Sequence, residues 1–414
     1  MKKWMIGSSL VLLSAGLVAG YFSYRSQQAT DLSQRATRAL AKEDFSAARV
    51  YSEKSLEIRP GDTKVLLVYA EAVFKDGNLD SEKRVQLALD ALSRIPDDSD
   101  EGLRARMHEA SIHFFDQLKP VKAERALRRA LAISTDHTES LNSLMQIFCC
   151  TSRETLIEPL FESLVQNSQN RRQTREVLAN WFLSQFSLGT YNSKTDPLLR
   201  VDGLYQVNIP LSQKRLLAFR DAEPGQQLPQ VALAYWFYIR SDGKQAKLLL
   251  DELAPEQIDL SDPLYLITAV NTYFEVGEIE LAATLHQYWK DETYFEYWRQ
   301  KGVIEQDYEN DPRQAVDSFQ RALTIWPGPI DPSIYFRLET CLKTIGDQEN
   351  ASKYRKLGEE MRNTTSSERI RELQQILLEG ELNQENCEKF VSFYETLGRQ
   401  IEMQYWRSLP SLPE

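Results

Sequence analysis

Beyond residue 30 the apolar side chains recur at intervals of three and four, the spacing that gathers them on one face of an α-helix. Leu32, Ala36, Ala39 and Leu40 predict a helix over 32–42. Glu43 and Asp44 make a turn, and Ala48, Tyr51, Ser55 and Leu56 return as a second helix that stops at Arg59-Pro60-Gly61. The plan repeats: residues 64–74 turn at Asp76-Gly77-Asn78 and come back through Leu87, Ala88, Ala91 and Leu92 to Pro96. Residues 104–118 pair with 121–133, whose inner face is Ala123, Leu127, Ala130 and Leu131, and 139–166 keep the helical period. Each segment is apolar on one stripe only, so the hairpins must bury their faces against one another.

The period fades over 167–229. Residues 177–186 read as an apolar helix and 189–208 as loop or short extended structure, while Pro224-Gly225 and Pro229 break any helix before 230. The domain boundary is expected here. Hairpins resume at 230–240 with 244–253, then 263–276 with 279–289, 294–308 with 312–325, and 333–345 with 348–362. The last stretches, 368–379 and 385–406, are polar on one side, as suits the end of a stack.

The first residues follow another rule. Lys2 and Lys3 precede an apolar run over 5–22, from Met5 through Leu12 and Gly16 to Gly20 and Phe22, and Tyr24 and Arg25 close it. At about 1.5 Å per residue such a helix just crosses a bilayer's hydrocarbon core, with Trp4, Tyr21 and Tyr24 where aromatic belts lie. The lysine pair keeps the N-terminus cytoplasmic and puts the rest of the chain on the far, periplasmic side. A cleaved signal peptide is the alternative, with Val18-x-Gly20 as its cleavage site and a secreted or periplasmic soluble product. Residues 26–31 read as a polar link. Gly16-x3-Gly20, overlapped by Ala15-x3-Ala19, is a spacing that lets two anchors pack as a homo-oligomer.

Composition narrows the classes. The 414 residues carry 49 basic and 60 acidic side chains, a net charge of −11, which argues against nucleic acid as the partner. Cys149, Cys150, Cys341 and Cys387 have no metal or redox spacing and read as buried thiols, with a Cys341–Cys387 bridge as the alternative. Of the four histidines, His108 and His113 are five apart and share no helix face. With no phosphate loop, GxSxG or HExxH, no catalytic residue, metal or cofactor is expected. The aromatic runs 235–238 and 288–298 suit the knobs of a helical core, and Arg125, Arg128 and Arg129 a solvated face.

The sharpest spelling is Ala315-x3-Phe319-x2-Ala322-Leu323-x3-Pro327, preceded by Trp298-x3-Gly302. Tyr335, Leu338, Leu342, Gly346 and Ala351 give a second copy, and Tyr273, Gly277 and Ala282 a third. Here the chain resembles the tetratricopeptide repeat (TPR) family, over about two-thirds of its length. The resemblance implies a right-handed superhelix whose concave wall is built from the first helix of each unit. A subset of that family grips chaperone carboxylates with a Lys and Asn clamp. Here Asn271 has Ile267 one turn earlier, where the clamp needs Lys. The wall positions carried over are His108, Ile112 and Phe115; Ile267, Asn271 and Phe274; and Phe336, Thr340 and Lys343.

The expected fold is therefore all-α, a TPR-like α-solenoid behind one N-terminal transmembrane helix. Its parts are the stub and anchor (1–25), a first array (26–166), a degenerate connector (167–229), a second array (230–365) and capping helices (366–414). The expected role is a membrane-anchored scaffold of bacterial type that binds other envelope proteins without catalysis. An anchor-less subunit of a larger complex and an enzyme with its site in 167–230 are the other readings.

Overall fold

The computed structural model describes residues 2–153, 156–168, 171–186, 213–325, 332–379 and 382–412, with the side chains of 1–19, 22, 158, 159, 173, 176, 180, 183, 184, 378 and 379 outside the description. Among the described residues every regular element is helical. The chain divides into two compact units, Met1–Ser140 and Leu141–Glu414.

The first unit holds α1 (Lys2–Ala41), α2 (Phe45–Ile58), α3 (Thr63–Lys75), α4 (Ser81–Ser93), α5 (Gly102–Ser111) and α6 (Pro120–Ile133). They pack as the hairpins α1–α2, α3–α4 and α5–α6. The division falls in the first turn of α7 (Thr138–Cys150). The second unit continues with α8 (Glu158–Asn167), α9 (Arg171–Phe186), α10 (Gln213–Ala222), α11 (Gln227–Tyr238), α12 (Gly243–Asp251), α13 (Pro263–Glu275) and α14 (Ile279–His286). It ends with α15 (Phe295–Asp307), α16 (Pro312–Leu323), α17 (Ser333–Thr344), α18 (Gln348–Thr364), α19 (Ser367–Glu379), α20 (Gln384–Thr396) and α21 (Gln400–Ser408).

One local device builds the hairpins. Among the described residues eight turns between helices share it, a single residue in the left-handed region: Glu43 (φ 60), Leu118 (55), Ser152 (59), Ser241 (58), Gly277 (86), Asn310 (56), Gly346 (89) and Gly398 (72). The next amide then reaches back over the helix end, from Asp44 to Ala39 O (3.0 Å), Arg153 to Phe148 O (2.9 Å), Asp242 to Phe237 O (3.0 Å), Glu278 to Tyr273 O (2.8 Å), Asp347 to Leu342 O (2.9 Å) and Arg399 to Tyr394 O (2.8 Å). Two turns are one residue wider, with Lys119 bonding His113 O (2.7 Å) and Asp311 bonding Glu305 O (2.8 Å). Asp44, Asp242, Asp311 and Asp347 also cap the returning helix with their carboxylates. Four residues on stand Ala48, Ala123, Ala246, Ala282, Ala315 and Ala351, all at 0% exposure. A methyl there lets the two helices close; Phe319 and Gly302 complete the seam, the ring lying over the glycine.

Several expectations need correction. Residues 26–31 are no link: they continue α1, where Ala29 is buried, its carbonyl accepts from Ser55 Oγ (3.0 Å), and Arg59 donates to Ser26 O (2.9 Å). No Gly or Pro interrupts the stretch, so the helix has no reason to stop. Pro229 does not break α11 but sits in its first turn, where no intrahelical donor is needed. The stretch 385–406 is two helices, parted by Gly398.

The largest difference lies in the expected connector and cap. Residues 171–186 form α9, which packs on α19 and α21. Trp181 Nε1 donates to Glu402 Oε1 (3.0 Å), Arg399 to Gln185 Oε1 (2.6 Å) and Gln374 Nε2 to Phe186 O (3.3 Å). Phe182 meets Phe390 edge-on at 5.3 Å, and Phe390 stacks on Trp406 at 4.0 Å. The C-terminal helices thus bury an aromatic core against α9 and do not merely end a stack. The loop expected at 189–208 lies outside the described residues.

Among the described residues no helix is long and apolar enough to cross a membrane. Met5, Leu12, Gly16 and Phe22 have side chains outside the description, and Gly20 is exposed. The backbone over 2–41 is one helix.

Candidate functional site

In the first unit α5 runs on into a π-helical turn, Ile112–Asp116, closed by Gln117 N–H to Ile112 O (3.1 Å). His113 Nδ1 meets Gln117 Oε1 at 2.8 Å, and Leu118 follows in the left-handed region. The extra residue changes which side chains face inward. Ile112 is buried in the core with Leu66, Ala70 and Leu92, so its expected place on a binding wall is corrected to the seam. Phe114 is buried and supports Phe115 edge-on at 5.1 Å, leaving Phe115 50% exposed. His108 lies half-buried, edge-on to Phe74 of the preceding hairpin at 5.6 Å. Of the three, Phe115 is the one turned to solvent.

In the second unit the six expected wall residues separate. Ile267 and Asn271 are buried between hairpins: Ile267 O accepts from Gln300 Nε2 (3.2 Å), and Asn271 Oδ1 accepts from Arg299 (2.8 Å) and Gln300 Nε2 (3.1 Å). They hold α13 to α15 and are corrected from wall to joint. Phe274 packs partly buried on the α15–α18 core. Phe336 lies against Gly358 of its own hairpin, with Arg362 over its ring at 4.5 Å. Thr340 and Lys343 are exposed, and Lys343 pairs with Glu339 (2.6 Å).

The titratable side chains mostly serve packing. Burial pushes His108, His113 and His286 below the usual histidine range, and His286 Nε2 meets Tyr297 O at 3.0 Å. Cys150, Cys341 and Cys387 are buried thiols outside any disulfide, pushed up by burial to about 12, 11 and 11. Arg129 grips Asp97 with two bonds (3.0 and 2.8 Å), joining two hairpins at a position that still meets solvent. Among the described residues no three His, Cys, Asp or Glu side chains converge as metal ligands.

Periodicity alone did not point to the groove between α15 and α16, a cavity of about 490 Å³ lined by Trp298, Lys301, Glu305, Ser318 and Arg321. Its signal in the sequence is charge at seam positions: Glu305 and Lys301 stand where the next hairpin has Leu342 and Leu338.

No family model and no curated protein matches the chain. Among solved structures it is similar to a tetratricopeptide repeat protein from Parabacteroides merdae ATCC 43184, at 12% identity and a TM-score of 0.31, over 76% of this chain and 99% of that one. It is also similar to the APC/C hetero-tetramer Cut9-Hcn1, at 11% identity and a TM-score of 0.37, over 92% of this chain and 75% of that one. What the hairpins share within this chain is the left-handed turn, the buried alanine of the returning helix and, between α15 and α16, the Gly302–Phe319 seam.

Proposed function

We propose that the protein is a membrane-anchored scaffold that binds partner proteins through its hairpins and performs no catalysis. The observation that carries this reading is Phe115. A half-exposed aromatic ring normally loses free energy in water, yet here it stands on a π-turn, backed by the buried ring of Phe114. Aromatic knobs on rigid supports are what protein interfaces bury at their centres.

The anchor is the second half of the proposal. α1 is continuous from Lys2 to Ala41, so a bilayer-spanning run over 5–22 would join the first hairpin without a flexible link. Only residues 23–25, roughly 5 Å of helix, would then separate hydrocarbon from the hairpin's first contact at Ser26, and the array would work against the membrane surface.

The test uses the full-length chain in native membranes, crosslinked and captured by a C-terminal tag. Phe115→Asp is expected to lose the specific crosslinked partner while keeping the wild-type circular dichroism. Equal crosslinking by the well-folded variant overturns Phe115 as the contact. Alkaline carbonate washing tests the anchor: release of the chain from membranes overturns it, as does an N-terminus beginning after Gly20.

A further inference from the structure

The α15–α16 hairpin breaks the rule its neighbours follow. The carbonyl that receives the turn amide belongs to Phe237 in α11, Tyr273 in α13, Leu342 in α17 and Tyr394 in α20, all apolar or aromatic seam residues. In α15 it belongs to Glu305. One turn earlier the same helices carry Leu233, Ala269, Leu338 and Phe390, and α15 carries Lys301. Two charges thus occupy places where a seam is ordinarily filled, and the cavity of about 490 Å³ opens beside them.

The charges are not used up internally. Glu305 is 4% exposed, and its Oε2 has no hydrogen-bond partner. A buried polar atom left in that state costs on the order of 1–3 kcal/mol. Burial raises its pKa, opposed by the Ser318 hydroxyl and by Lys301. Across the groove Lys301 Nζ and Arg321 Cζ lie 4.8 and 4.5 Å from the centre of the Trp298 ring. Among the described residues neither cation forms an ion pair. Trp298 is fixed by its Nε1 bond to Glu292 O (2.8 Å).

The charges are also sorted along the groove. Trp298 and Glu305 are seven residues apart on α15, two turns and roughly 10 Å. Arg321 flanks Trp298, and Asp317, one turn earlier on α16, extends the acidic end. The groove is therefore cationic and aromatic at one end and acidic at the other.

We propose that this groove binds a dipolar peptide segment, with a carboxylate between Lys301 and Arg321 beside Trp298 and an amine or guanidinium donating to Glu305 Oε2. An extended peptide gains about 3.3 Å per residue, so three residues span the two charges. That chemistry has two sources, the free termini of a tripeptide or acidic and basic side chains within a longer chain. The site lies apart from Phe115 in sequence and needs neither the anchor nor the proposed scaffold role.

The experiment uses the full chain, in nanodiscs, labelled with 5-fluorotryptophan, the Trp298 ¹⁹F resonance being assigned by its loss in Trp298→Phe. Triglycine tests free termini; acetyl-Gly-Glu-Gly-Gly-Lys-Gly-amide tests side chains. Saturable movement of the Trp298 resonance by either peptide is expected, with the responsive one naming the source. Arg321→Met and Glu305→Gln should each weaken that binding at least tenfold with unchanged thermal melting, whereas Phe115→Asp should leave it unchanged. Glu305→Gln could itself repack the seam, so Arg321→Met, at an exposed position, decides independently. No movement with either peptide up to 5 mM overturns the proposal. So does equal movement with the neutral peptide acetyl-Gly-Gln-Gly-Gly-Gln-Gly-amide.

Discussion

Gly302 shows how one atom decides a hairpin. A Cβ built there would lie 2.6 Å from two ring carbons of Phe319, itself fully buried. Helix propensity favours alanine by up to about 1 kcal/mol, but the clash is with the body of a packed ring, and overpacking costs typically 1–3 kcal/mol. Gly302→Ala is therefore expected to lower stability by about 1–2 kcal/mol, read from urea midpoints. A stabilised variant would mean that the α15–α16 seam is looser than it stands. This glycine was legible in the sequence because its partner Phe319 lies in the same repeat spelling. The histidines were not, because nothing local marks burial. His108, His113 and His286 stay neutral in the fold, with pKa values lowered by burial, while the unfolded chain protonates near pH 6.5. The unfolded state then binds more protons, so stability falls as pH drops below about 6.5, by at most about 1.4 kcal/mol per pH unit for each histidine. His108→Phe, packed on Phe74, should flatten that slope between pH 7 and 5; an unchanged slope would place the lost stability elsewhere.

For the hairpin as an element, the turn is the repeating instruction, and the sequence spells only part of it. Gly277, Gly346 and Gly398 announce their left-handed residues, whereas Glu43, Leu118, Ser241 and Asn310 adopt the same conformation without announcing it. The six-residue reach at Lys119 and Asp311 is equally silent, so a regular repeat register puts Ile112 on a wall although it lies in the core. What the amino-acid pattern did carry was the alanine four residues beyond the cap, because a methyl is the only side chain that lets α1 and α2 or α15 and α16 meet so closely. Exchanging residues at these turns separates backbone preference from packing. Gly277 has nothing within 4 Å of its would-be Cβ, so Gly277→Ala meets no clash and should still lose about 1 kcal/mol through φ 86 alone. Glu43, exposed at φ 60, reverses the exchange: Glu43→Gly relieves about 1–2 kcal/mol of backbone strain and gives back 0.5–1 to the freer unfolded chain. A net gain of roughly 0.5 kcal/mol is expected in thermal melts. A loss would show that the Glu43 side chain stabilises the turn.

At the scale of the whole chain, the contacts that organise the second unit join residues more than two hundred positions apart, and no local pattern can report them. Trp181 and Glu402, Gln185 and Arg399, and Arg171 and Leu382 O meet across that separation. Residues 366–414 look like a cap because their outer face is polar, yet their inner face buries Phe390, Phe393, Tyr394 and Trp406, far more than the end of a stack requires. Arg399 and Glu402 are buried together, and a buried ion of this kind is tolerated only while its partners stay in place. Ending the chain at residue 365 should therefore do more than remove three helices. It strips α9 of the rings around Phe182 and leaves Trp181 Nε1 without the carboxylate that receives it. Hydrogen exchange is expected to show α9 amides losing protection by at least a hundredfold in the truncated protein. The α15–α18 amides, whose core of Phe319, Leu338 and Ala351 holds no residue beyond 365, should keep theirs. Full protection of α9 without 366–414 would mean that α8 alone supports it, and the second unit would then be an open stack ending in a true cap.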